Sequence, residues 1–127
     1  MFDTWGLNRA PQEVAWVLAI DAARHVRTVV EVARGAGHWM NVHIPAVLQA
    51  VLLSGSDRWA FVHCHPSLDA TPTGMDHNLL DRLTRASEAC GIYLEDSIIV
   101  TPDPKIWYSA VLSDDYTPMT FQTNSAP

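Results

Sequence analysis

Cysteine is scarce in this chain: Cys64 and Cys90 are the two among 127 residues. One bridge is arithmetically possible, but the dense framework that staples small secreted domains is excluded, and a reducing, cytoplasmic setting is expected. Basic residues are few as well. Eight lysines and arginines against fourteen acids leave a net charge of -6, and no cationic cluster supplies the phosphate-neutralising attraction that drives nucleic-acid binding. Direct nucleic-acid contact is therefore not expected. Long apolar runs are missing too, the longest having the length of buried strands, and no basic N-terminal segment leads into one. Neither a membrane span nor a signal peptide is expected. What remains is one domain, with enough chain to bury about two-thirds of its extended surface around a single core.

Residues 14–20 are almost continuously apolar, which predicts a central strand covered on both faces. A turn over residues 21–25 leads to a second, β-branched strand from Val26 to Val32, so the two read as a hairpin. Gly35-Ala36-Gly37 permits a tight passage. Asn41 is then expected to open a helix with Val47, Leu48, Val51 and Leu52 on its inward stripe, stopped by Ser54-Gly55-Ser56. A short strand over residues 59–62 runs into His63-Cys64-His65-Pro66, and a polar loop follows. Thr73 and Asp76 have the spacing of a capping box, opening a helix through Cys90 with Leu79, Leu80, Leu83 and Ala86 inward and Gly91 as its stop. Strand material over 92–94 and 97–100, a turn at 101–104 and a last strand over 106–111 complete the order β-β-α-β-α-β-β. The expected class is α/β, a mixed sheet flanked by helices. Residues 1–12 read as a short lead, 13–115 as the domain and 116–127 as a polar, loose tail.

The chemistry concentrates in one place. Two histidines one residue apart on a strand point to the same side, and a carboxylate from the following helix can complete a triangle of His63, His65 and Asp76. Three such donors with a fourth corner left for water make a catalytic zinc site, one ion per chain. The same residues have a plainer use in helix capping and histidine-to-backbone hydrogen bonds. Cys64 projects away from its neighbours and belongs with the core. Glu13 stands just before the first strand; if that strand neighbours the one bearing the histidines, its carboxylate can take and return a proton, and otherwise it is an ordinary surface residue.

These ordered pieces resemble the RadC-like branch of the JAB/MPN metalloprotease superfamily, the JAMM domains. The resemblance covers roughly residues 13 to 109. It rests on Glu13 and Asp21 at the two ends of the first strand, Val42-His43, His63-Cys64-His65-Pro66-Ser67, Thr71-Pro72-Thr73 with Asp76, Gly91-Ile92, Asp96-Ser97-Ile98-Ile99-Val100 and Tyr108-Ser109. It implies zinc on His63, His65 and Asp76, Glu13 as acid/base, and the position-73 hydroxyl stabilising the tetrahedral intermediate. It also implies hydrolysis of peptide or isopeptide bonds in a protein substrate. His43 and Ser67 match family positions: His43 orders the helix entrance or the site wall, and Ser67 shapes the loop. The chain departs from the family pattern at Thr73 for serine, Cys64 for asparagine, Leu68 for glycine and Ser97 for histidine. Threonine keeps the donor while its methyl narrows the pocket.

Three rival readings stand against this one. A noncatalytic JAB-like protein-binding or DNA-repair-associated module keeps the fold without the reaction. Zinc-dependent deamination needs a His-x-Glu element and a later Pro-Cys-x-x-Cys element, and neither occurs. Phosphodiester hydrolysis is disfavoured by the single ligand cluster and the lack of a basic groove.

Overall fold

The apolar run Val14–Ile20 is β1, buried along almost its whole length, within a computed structural model that describes residues 13–35 and 42–118. It pairs antiparallel with β2, Val26–Arg34. The hairpin between them closes because the Asp21 carboxylate accepts the His25 amide hydrogen at 2.8 Å while Arg24 takes a left-handed conformation, φ 66°. The other edge of β1 pairs antiparallel with β3, Arg58–Cys64. With β4, Tyr93–Val100, and β5, Trp107–Ser109, the sheet runs β2-β1-β3-β4-β5, and only the β3/β4 pair is parallel. The mixed α/β class and the element order are as expected.

A parallel pair needs a crossover, and α2, Gly74–Cys90, supplies it between β3 and β4. Both halves of its capping box form at Thr73 and Asp76, and the helix stops where Gly91 takes the left-handed φ of 71° that a side chain would resist. The first helix, α1, spans Ile44–Ser54 and ends on Gly55 at φ 81°. Asn41, expected to open it, lies outside the described residues. The N-cap position belongs to His43, whose side chain makes no capping bond, and a proline in the first turn fixes the entry.

Both helices cover one face of the sheet, where Ala15, Val17, Trp59, Phe61 and Leu94 meet Val47, Val51 and Leu83. The second face buries Val14, Trp16, Leu18, Val62, Cys64 and Val100. Two inward assignments change. Leu52 is 52 % exposed, because the α1 stripe turns away from the sheet after Val51. On α2, Ser87 rather than Ala86 is the buried residue, since its hydroxyl accepts the Trp59 indole N–H at 3.1 Å. Trp59→Phe keeps an aromatic side chain, replaces the indole by a smaller phenyl ring and removes this donor. Its expected cost is about 1–2 kcal/mol in a chemical-denaturation measurement, from a lost buried hydrogen bond and a small void.

The late strands also differ from expectation. The 92–94 and 97–100 segments are one strand with a bulge, since Trp59 faces Leu94 and Ala60 faces Asp96. The extra residue, Glu95, is held by Arg58 and Arg24, each at 3.5 Å. β5 keeps three residues of the expected six. The Asp96 carboxylate accepts the Ser109 hydroxyl and the Val111 amide hydrogen, drawing the chain out of the ladder into a turn. Tyr116, the first residue of the expected tail, donates its hydroxyl to the Leu94 carbonyl at 2.7 Å and packs on the core. Residues 119–127 and the 1–12 lead lie outside the described residues.

Candidate metal centre

The pleat of β3 sends His63 and His65 to the helix side of the sheet and Cys64 to the opposite side, where it is fully buried. Facing them, the first turn of α2 presents Asp76. The separations are 3.1 Å between the two Nε2 atoms, 3.2 Å from His63 Nε2 to Asp76 Oδ1 and 3.4 Å from His65 Nε2 to Asp76 Oδ2. Zinc bonds of about 2.0–2.1 Å arranged tetrahedrally put neighbouring donors about 3.3 Å apart. The triad thus has the size of one face of a zinc tetrahedron, and its imidazole and carboxylate donors suit that ion.

Capping and metal binding turn out to be compatible uses of Asp76. Its Oδ2 accepts the Thr73 amide hydrogen at 2.8 Å, and Thr73 Oγ1 accepts the Asp76 amide hydrogen at 3.2 Å. These bonds fix the carboxylate rotamer and leave Oδ1 turned toward His63. Thr73 spends an oxygen lone pair on the cap and retains its hydroxyl hydrogen for donation.

Charge follows from this packing. Burial alone would raise the Asp76 carboxyl, but hydrogen bonds from His63 and His65 outweigh it and hold the group far below the usual carboxylate range. Burial pulls the His65 imidazole down. Its bonds to Asp76 and to the Asp69 carbonyl, with the charges of Asp76 and Glu13, more than reverse that and leave it above an ordinary histidine. A carboxyl and an imidazole shifted this way by burial and by each other mark a candidate functional site.

Antiparallel pairing of β1 with β3 brings Glu13 to the neighbourhood of the site. Val14 faces Cys64 and Ala15 faces His63, and Glu13, the residue before β1, is near enough for its charge to act on His65. Its carbonyl accepts the Gly35 amide hydrogen, and its side chain is half-buried. Ser67 lies on the exposed loop, its hydroxyl accepting the Asp69 amide hydrogen at 3.3 Å. His43 stands at the α1 N-cap with its ring exposed. Sequence reasoning missed Asp69, whose carbonyl lies 3.0 Å from His65 Nδ1; the signal available was its position between Ser67 and Thr71, two residues away on either side.

A mixed sheet with a crossover helix capped over a His-His-Asp cluster defines a JAB-type domain with a candidate metal site. The RadC-like JAB domain family matches residues 3–113, and the chain belongs to that family. It is 30% identical over 89 residues to a UPF0758 protein of Trichlorobacter lovleyi, covering 70% of this chain and 39% of the relative. It is 32% identical over 97 residues to one of Psychrobacter sp., covering 76% and 43%. With a UPF0758 protein of Thermotoga maritima it shares 28% over 90 residues, 71% and 40% of the two chains. The chain spans about two-fifths of the length of the curated relatives it matches. Among the described residues no helix is long and apolar enough to cross a membrane, and Cys64 and Cys90 are not bridged.

Proposed function

We propose that this chain is a zinc-dependent hydrolase of peptide or isopeptide bonds, acting on a protein substrate in the cytoplasm. The observation that carries the reading is the convergence of His63, His65 and Asp76, with all three donor atoms within 4.8 Å of one another; the charge of Glu13, which acts on His65, supports it. Zinc bound there would lower the pKa of water toward about 7 and polarise the substrate carbonyl.

The rest falls to the chain's own groups. Glu13 takes a proton from the attacking water and returns it to the departing nitrogen. The Thr73 hydroxyl, whose hydrogen the cap leaves unused, donates to the developing oxyanion. The Asp76 cap bonds and the His65–Asp69 contact hold the ligands in place, so little reorganisation accompanies metal uptake.

Equilibration with zinc is expected to load about one ion per chain, counted by elemental analysis, with turnover of peptide or isopeptide substrates that a chelator abolishes and added zinc restores. A fully loaded chain that cleaves no amide in a broad screen would favour the noncatalytic protein-binding module instead.

A further inference from the structure

The two histidines of the triad are not held alike. A carbonyl can only accept, so the 3.0 Å contact between His65 Nδ1 and the Asp69 carbonyl places a hydrogen on Nδ1 and frees the Nε2 lone pair for the metal. His63 has no such partner. Its Nδ1 is enclosed, without a hydrogen bond among the described residues, in a setting where Ala15 and Ile99 flank its position on the neighbouring strands and the Phe61 ring lies 5.8 Å away. Packing positions that ring, and its polar neighbours, His65 Nε2 and Asp76 Oδ1, all lie on the Nε2 side within the triad itself.

The Asp69 carbonyl is itself aimed by local chemistry. The Asp69 Oδ1 atom accepts the Thr71 amide hydrogen at 2.9 Å, closing a side-chain turn over residues 69–71, and the Asp69 amide hydrogen goes to Ser67 Oγ at 3.3 Å. The 68–69 and 70–71 peptides are thereby restrained on either side of the 69–70 peptide that carries the Asp69 carbonyl, and the chain re-enters the protein at Ala70, which is buried. Asp69 is exposed and its carboxylate faces the Thr71 backbone, so its side chain acts through the shape of the loop.

We infer that Asp69 is the positioning residue of the metal site: its side-chain turn holds its own carbonyl on His65 Nδ1, and through that bond sets the only outer-shell tautomer lock the triad has among the described residues. The inference rests on the metal-binding reading for its consequence, but its structural core is testable without metal. Loss of an outer-shell partner typically weakens metal binding by about 10–100-fold, and because His63 supplies no second lock, the effect of removing this one is not shared.

The test compares wild type, Asp69→Ala and Asp69→Asn. Asparagine keeps the Oδ1 acceptor for Thr71 and loses the charge. In the metal-free chain at a pH where His65 is neutral, the Asp69 carbonyl on Nδ1 competes with the Asp76 carboxylate on Nε2, and nitrogen-15 spectra of the imidazole are expected to show the same Nδ1–H fraction in wild type and Asp69→Asn and a smaller one in Asp69→Ala. Zinc affinity, measured by competition with a chromophoric chelator, is expected to fall about 10-fold or more in Asp69→Ala and to stay within about threefold in Asp69→Asn. An unchanged tautomer in Asp69→Ala overturns the inference. So does an asparagine variant as weak as the alanine one, which would mean that charge, not the turn, is at work. A wild-type chain that takes up no zinc defeats the metal-binding reading separately, and the tautomer comparison still decides whether Asp69 aims His65.

Discussion

Glu13→Gln is expected to keep its zinc and lose hydrolysis by about 10²–10⁴-fold, the range that a positioned proton-transfer group contributes, or roughly 2.7–5.5 kcal/mol of barrier. Glutamine has nearly the same shape, so the β1 terminus and its bond from Gly35 are undisturbed. What it lacks is basicity: an amide neither takes a proton from water nor hands one to a leaving amine. Glu13 is not among the three donors of the cluster, so the zinc content of the variant should match wild type by elemental analysis. Its negative charge is one of the influences that raise His65, and its removal moves that histidine toward its ordinary value. Rates within about threefold of wild type on the same amide substrate would remove Glu13 from the mechanism. Loss of zinc along with activity would instead make it a ligand or a structural group, contrary to its assigned role.

The reason Glu13 needed the fold is instructive. A period of two in a strand is enough to send His63 and His65 to one side, and the Thr73–Asp76 spacing is enough to predict the cap, so the triad was legible from local rules. Glu13 is fifty residues away in sequence. Its place depends on β1 choosing β3 as its second neighbour, a tertiary pairing that no local pattern encodes. The β1 run was readable as a doubly covered strand because both its faces are apolar, whereas β5 was overread: residues 106–111 have strand composition, and it is the Asp96 carboxylate, reaching across from β4, that ends the ladder at Ser109. Leu52 failed for a related reason, since α1 carries no charged residue and its apolar composition does not mark an outward side. Asp69 escaped notice because its contribution to the site is a backbone carbonyl, and side-chain chemistry is what a sequence displays.

Asp76→Asn separates the two uses of one side chain. As a capping residue, asparagine still accepts the Thr73 amide hydrogen, so the helix start should survive at a cost within about 1 kcal/mol. As a metal ligand it has lost its charge, and zinc affinity is expected to fall by more than the roughly 100-fold ceiling associated with outer-shell partners. The metal-free chain provides an independent readout through pH. Asp76 has a folded-state pKa depressed below its unfolded value, so it adds stability above about pH 3.9 and surrenders it as pH falls. His65 has a folded-state pKa raised above its unfolded value, so it adds stability below about pH 6.5 and surrenders it as pH rises. Both contributions coexist between those two values, and the metal-free wild type should show its site-derived stability maximum there, read as Tm across the range. In Asp76→Asn the carboxylate is gone, and with it the main attraction raising His65; the maximum should flatten on both sides. A variant that keeps the wild-type pH profile would show that the Asp76–histidine pairing is not the source of that stability, and one that keeps wild-type zinc affinity would remove Asp76 from the coordination sphere.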